Sequence, residues 1–176
     1  MGGQTVKTLI LGGARSGKSA LAERLAGESG LAVTYIATAT AGDAEMAERI
    51  AHHRSRRPSA WEVAEEAVEL ANCLNKHAAP GRCLLVDCLT LWLTNILGDE
   101  ETFRRERAEL LETLPGLPGR IILVSNEVGM GIVPLGEMSR RFVDEAGRLH
   151  QELARLCDQV VFVAAGLPLV MKGNPL

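Results

Sequence analysis

Residues 12–19 read Gly-Gly-Ala-Arg-Ser-Gly-Lys-Ser, and they lie between an aliphatic run, Val6–Leu11, and a segment of helical periodicity, Lys18–Ala26. A strand that turns through glycines and opens directly into a helix at G-x-x-x-x-G-K-S spacing is the context that confirms a phosphate-binding loop, or P-loop. Gly12 and Gly17 let the backbone turn tightly, so successive N–H groups converge on a phosphate while the helix N-terminus adds its partial positive charge. Gly12, Gly13, Ala14, Arg15, Ser16, Gly17, Lys18 and Ser19 are therefore candidate nucleotide-binding residues. Lys18 is expected to bridge the β- and γ-oxygens, and Ser19 to ligate Mg²⁺. Arg15 either reaches the nucleotide or lies in solvent.

Further strand-length runs follow at Val33–Ala37, Cys83–Asp87, Ile121–Ser125 and Val160–Ala164, with weaker ones at Glu62–Ala64 and Leu169–Lys172. Helical segments fall between them at Ala44–Arg56, Ala67–Lys76, Thr90–Leu97, Glu101–Leu114 and Ser139–Cys157, three of the helices ending at Pro58, Pro80 and Pro115. This alternation predicts an α/β fold with a mostly parallel sheet flanked by helices. A chain of 176 residues without repeats or a Gly/Ser-rich linker is expected to form a single domain, residues 1–176.

Charge narrows the partners: 19 Lys and Arg against 22 Asp and Glu leave a net −3, so there is no basic field for nucleic acid. No run of apolar residues has membrane-spanning length and no separate signal core precedes the first strand, which leads us to expect a cytoplasmic protein. Cys73, Cys83, Cys88 and Cys157 form neither a CxxC pair nor a zinc-spaced cluster, and are read as reduced structural thiols. Trp61 and Trp92 are expected to be core anchors.

Two further features carry chemistry. Leu84-Leu85-Val86-Asp87 places an acid at the end of an apolar strand, where a metal-side carboxylate is expected beside a P-loop; a helix N-cap is the other use of Asp87. The segment from Asp43 to Pro58 reads as a helix that ends in His52 and His53 among Arg49, Arg54, Arg56 and Arg57. The arginines depress the pKa of a neighbouring imidazole and attract polyphosphate, which suits a neutral ring nitrogen attacking phosphorus. The two histidines sit about 100° apart on a helix, so geometry alone does not choose between them.

Taken together, Leu11–Ser19, Tyr35-Ile36-Ala37-Thr38, Glu45-Met46 with Arg49-Ile50 and His52-His53, Arg57-Pro58 with Trp61, Asn126–Pro134, and Arg141-Phe142 with Asp144, Gly147 and Gln151 resemble one family. It is that of the bifunctional adenosylcobinamide kinase / adenosylcobinamide-phosphate guanylyltransferases of cobalamin biosynthesis. The resemblance covers nearly the whole chain. It implies a RecA-like P-loop sheet, a homotrimer, and two reactions: phosphorylation of adenosylcobinamide with ATP or GTP, then transfer of GMP from GTP through a guanylylated histidine. By position it implies His52 as that histidine, and further nucleotide contacts at Ala37, Thr38, His53, Arg54, Ser55, Arg56, Glu65 and Asp87. One departure is His150, which stands where the family's Gly-x-x-Asn-Gln pattern has Asn.

The stretch from Asn126 to Pro134 is expected to be a loop at the C-terminal end of a central strand, where open α/β sheets bind ligands, and so to suit the corrinoid. Gly129 and Gly131 permit close approach, whereas Asn126 and Glu127 offer hydrogen bonds or a base for the attacking hydroxyl. The alternative is a P-loop small-molecule kinase with no covalent guanylyl intermediate, in which the histidines and arginines merely bind nucleotide.

Overall fold

The structure is a computed structural model that describes residues 5–39 and 58–176; the expected helix Ala44–Arg56, with His52, His53, Arg54, Ser55 and Arg56, lies outside the described residues. Seven strands form one sheet: β1 (Val6–Gly12), β2 (Ala32–Ala37), β3 (Glu62–Glu65), β4 (Arg82–Asp87), β5 (Arg120–Asn126), β6 (Gln159–Ala164) and β7 (Leu167–Lys172). The described helices are α1 (Lys18–Gly27), α2 (Leu70–His77), α3 (Leu89–Ile96), α4 (Glu100–Thr113) and α5 (Glu137–Leu156). The spatial order is β3-β2-β4-β5-β1-β6-β7, parallel throughout except for the antiparallel β6–β7 pair.

Alternation along the central strands buries both faces, as a parallel sheet with crossovers requires. Leu9, Leu11, Leu84, Val86, Ile121 and Leu123 point to the face covered by α2, α3, α4 and α5. Ile10, Cys83, Leu85, Ile122 and Val124 point to the opposite face, against Leu21, Ala22 and Leu25 of α1. The connection leaving β1 thus runs over one face toward β2, while the one leaving β5 runs over the other face toward β6. Neighbouring strands whose connections diverge in this way open a crevice between their C-terminal ends, the usual ligand position in such sheets.

Several element bounds differ from expectation for local reasons. The helix expected from Ala67 begins at Leu70, because the Glu66 carboxylate accepts the Val68 and Glu69 N–H groups, both at 2.9 Å, and holds a turn there. The helix expected from Glu101 begins at Glu100, capped by Asp99, whose side chain accepts from the Thr102 N–H at 2.8 Å. Leu114 belongs to a 3₁₀ turn with Pro115 rather than to α4. The last strand is longer than expected because Ala165 and Gly166, both at positive φ (52° and 77°), close a two-residue hairpin between β6 and β7.

Trp92 is fully buried in the core and its indole N–H donates to the Val68 carbonyl at 2.7 Å, whereas Trp61 is half-buried against the end of α1. Trp92→Ala is expected to cost about 3–5 kcal/mol by cavity formation, a large share of a domain's stability. Trp92→Phe, which keeps most of the volume but orphans the Val68 carbonyl, is expected to cost about 1–3 kcal/mol. Denaturant unfolding of the two variants checks the order; equal losses would show that the hydrogen bond matters more than the volume. All four cysteines are free and buried, and burial pushes the Cys83 thiol up to about 11 and Cys157 up to about 12, so they act as apolar core. Among the described residues no helix is long and apolar enough to cross a membrane.

Candidate functional site

The C-terminal edge of the sheet gathers the predicted residues through strand register alone. Ala37 of β2 pairs with Glu65 of β3 on one side and with Asp87 of β4 on the other. Across the crevice, Gly12 of β1 pairs with Asn126 of β5 and with Val163 of β6. Five expected site residues from five strands thus end on the same side of the sheet.

The P-loop leaves β1 at Gly12, where a Cβ would lie 2.5 Å from both Ser16 Oγ and the Val163 carbonyl, so only glycine fits. The turn is sharpened by Arg15 at φ 56° and by Gly17 at φ 98°, which caps α1 in the left-handed region. The β6–β7 hairpin braces it: the Gly166 N–H donates to the Ser16 carbonyl at 2.8 Å. Ala14, Arg15 and Gly17 are exposed along the rim, whereas Ser16 and Lys18 are each only 8% exposed. The Ser16 hydroxyl is buried without a hydrogen-bond partner, an arrangement costly unless the group serves a ligand.

Lys18 points back inside the loop, its Nζ donating to the Gly13 carbonyl at 3.1 Å. Burial pulls its ammonium below the ordinary lysine range, and the negative charge of Asp87 opposes that pull, so Lys18 and Asp87 share one electrostatic neighbourhood. Asp87 does not cap the next helix: α3 is preceded by Cys88, whose side chain makes no capping bond. Its carboxylate remains available to the site.

Thr38 is fully buried. Its hydroxyl donates to the Cys88 carbonyl at 2.7 Å and accepts the Cys88 N–H at 3.0 Å, while its carbonyl accepts from Asn95 Nδ2 at 2.9 Å. The Thr38 hydroxyl is thus a clasp that joins the ends of β2 and β4.

After β5, the Glu127 N–H donates to the Gly12 carbonyl at 2.9 Å and ties this loop to the P-loop. Sequence considerations offered Asn126 and Glu127 for hydrogen bonds or a base; in the structure the Glu127 carboxylate accepts the Gly129 N–H at 2.7 Å and the Met130 N–H at 3.1 Å, bracing its own loop. A Cβ at Gly129 would lie 2.9 Å from the end of the Glu127 side chain, whereas Gly131 faces open space. Beyond it stand Met130, Ile132, Val133 and Leu135, with Ile132 and Leu135 97% and 99% exposed. An apolar surface of this kind suits a bulky ligand or a protein partner.

Beneath the loop runs a polar chain absent from the sequence expectations. The Asn126 N–H donates to Thr90 Oγ1 at 2.7 Å, the Thr90 and Ser125 hydroxyls are 3.3 Å apart, and Ser125 Oγ lies 2.8 Å from His150 Nε2. The available signal was an imidazole on the buried stripe of α5, beside Ala146, Leu149 and Leu153. Burial lowers the His150 pKa, against the raising influence of Glu127, and keeps the ring neutral.

Ser19 and Asp87 supply a hydroxyl and a carboxylate, the hard oxygen donors that suit Mg²⁺ when phosphates and water complete its shell. No cluster of three or more His, Cys, Asp or Glu side chains able to hold a metal is present among the described residues.

A family model described as cobinamide kinase / cobinamide phosphate guanyltransferase matches residues 8–171. The bifunctional adenosylcobalamin biosynthesis protein CobP of Pseudomonas aeruginosa is 65% identical over 173 residues, 97% of this chain and 100% of that protein. The corresponding CobU of Escherichia coli is 38% identical over 179 residues, 93% of this chain and 98% of that protein. Among solved structures the RadB recombinase superposes with a TM-score of 0.53 at 18% identity, covering 89% of this chain and 73% of that one, a likeness of fold alone.

Proposed function

The chain belongs to the cobinamide kinase / cobinamide phosphate guanyltransferase family, and from that membership we propose how its residues divide the two reactions. It is a bifunctional kinase and nucleotidyltransferase of adenosylcobalamin biosynthesis on a P-loop NTPase fold, with the RecA-like sheet that its resemblance implied.

In the kinase step, the N–H groups of residues 13–19 cradle the triphosphate, with ATP or GTP as donor. Lys18 follows the γ-phosphoryl charge as it moves in line to the cobinamide hydroxyl. Ser19 and Asp87 hold Mg²⁺, which when bound neutralises developing charge on the phosphate oxygens. The observation that carries this reading is the pairing of a buried Lys18 inside a glycine-shaped loop with Asp87 in its electrostatic neighbourhood. The unpartnered Ser16 hydroxyl supports it. Arg15, exposed on the rim, is assigned to the nucleotide's outer phosphate, and Ala37 and Glu65 to the nucleotide side of the same edge.

In the second step, the His52 imidazole attacks the α-phosphorus of GTP; a P–N bond forms and pyrophosphate leaves. A phosphate oxygen of cobinamide phosphate then attacks that phosphorus, the P–N bond breaks, and the ring leaves as a neutral base once it has carried a proton. His53, Arg54, Ser55 and Arg56 bind the polyphosphate beside it. The loop Asn126–Gly131 with its exposed Met130 and Ile132 takes the corrinoid, whose broad apolar faces match that surface. We further assign the protein to the cytoplasm as a homotrimer; exposed Leu167, Leu169 and Met171 on one face of the edge strand β7 support contact between copies.

Incubation with cobinamide, ATP labelled at the γ-phosphate and GTP labelled at the α-phosphate tests the reading. Both labels should appear in the corrinoid product, the second only after the first. Transfer of the γ-label alone would leave the simple kinase as the better account.

A further inference from the structure

The buried chain from Asn126 through Thr90 and Ser125 to His150 joins three elements: the loop after β5, the start of α3 just beyond Asp87, and the middle of α5. A backbone N–H can only donate, so Thr90 Oγ1 accepts from Asn126; the Ser125 hydroxyl bridges Thr90 Oγ1 and Nε2 of His150, donating or accepting as the His150 tautomer requires, and the imidazole closes the chain. Nothing apolar replaces that ending, because Ser125 is 2% exposed and its hydroxyl has no route to water.

We propose that His150 is a positioning residue for the acceptor side of the site, holding Asn126 in place through Ser125 and Thr90. The proposal rests on the reading of the Asn126–Gly131 loop as the corrinoid side. Asn126 is the hinge between strand and loop: its register partner is Gly12, and the next N–H, from Glu127, donates to the Gly12 carbonyl. An anchored Asn126 amide therefore sets where the loop stands relative to the P-loop and to the phosphoryl group it carries. In-line transfer is sensitive to that distance, while nucleotide affinity, set by the P-loop itself, is not.

The test uses the full chain with His150→Leu, Ser125→Ala and His150→Gln. Glutamine places an amide oxygen near the former Nε2 and can accept from Ser125, whereas leucine cannot. Backbone amide exchange at Asn126 and Glu127, read by NMR, is combined with KM and kcat for cobinamide and for ATP, and with thermal unfolding. We expect His150→Leu and Ser125→Ala to speed exchange at Asn126 by about tenfold or more, through loss of a buried hydrogen-bond partner. The same variants should raise KM for cobinamide by about tenfold while KM for ATP moves by less than about twofold. His150→Gln should recover both. Exchange at Asn126 as slow as in the wild type would overturn the proposal, as would equal losses toward cobinamide and ATP, or failure of folded His150→Gln to recover. Ser125→Ala removes a single oxygen, so it keeps the test decisive should His150→Leu fold poorly. Fast exchange with an unchanged cobinamide KM would overturn the assignment of the loop to the corrinoid while leaving His150 as its anchor.

Discussion

Lys18→Ala is expected to lower kcat of the kinase step by roughly 10²–10³, the loss found when one preorganised donor to developing transition-state charge is removed. The side chain is 8% exposed and its ammonium lies inside the loop within bonding distance of the Gly13 carbonyl, so no water molecule in bulk exchange can take over its place. Because the charge it meets grows as the γ-phosphoryl detaches, the effect should fall on kcat more than on KM for nucleotide. Lys18→Arg should not rescue: the planar fork is bulkier than an ammonium and would have to take the place of a side chain that is only 8% exposed and reaches the Gly13 carbonyl. Steady-state phosphoryl transfer with a parallel melting curve checks both statements. A loss below about tenfold in a folded variant would show that the N–H cradle does most of the electrostatic work.

His52→Ala is expected to abolish guanylylation, reducing covalent label from α-labelled GTP by at least roughly 10⁴, since a covalent pathway has no substitute for its nucleophile. Phosphoryl transfer to cobinamide should persist within a factor of about three, because in-line kinase chemistry does not use an imidazole nucleophile. Label in the wild type should be released by acid, which protonates the ring nitrogen and makes it a good leaving group. His53→Ala serves as the control on the same segment. Loss of label in His53→Ala with retention in His52→Ala would move the nucleophile by one residue. Absence of acid-labile label from a wild type that still binds GTP would retire the histidine pathway.

Between these two sites of chemistry, the ease of reading differs with the range of the contacts. The alternation of strands and helices, the P-loop and the acid ending β4 were all legible, since each is written in a contiguous stretch of apolar periodicity and turn residues. The weak strand at Glu62–Glu65 pairs along β2, and its Glu62 is further held by Arg82 of β4 at 2.6 Å and by Thr34, which donates to the same carboxylate at 3.2 Å. A four-residue edge strand that depends on such partners has little signal of its own. Thr38 shows the converse: the family resemblance implies a nucleotide contact there, and the bonds that its hydroxyl makes to Cys88 become visible only once β2 pairs with β4.

Glu127 makes the same point at the loop after β5. A Glu following Asn in a Gly-rich segment offers hydrogen bonds or a base, and only the turn it enters shows its carboxylate on the Gly129 and Met130 N–H groups. His150 reads as a lone imidazole on a helix, and only the chain folding back over 25 positions brings it and Ser125 to 2.8 Å.

The amino-acid order alone settled what is local: a loop of the right length between strand and helix, glycines where a Cβ would collide, a lysine and a serine at the helix start, and an acid closing an aliphatic strand. Those features need only neighbouring residues, because phosphate recognition here uses backbone N–H groups that a single turn can aim. Tertiary structure alone decided which side chains remain available for chemistry. Thr38 meets Cys88, Thr90 meets Asn126, and the Ser16 carbonyl meets Gly166 across 150 positions. A buried polar group must take whichever partner the register delivers, and register is a property of the whole sheet.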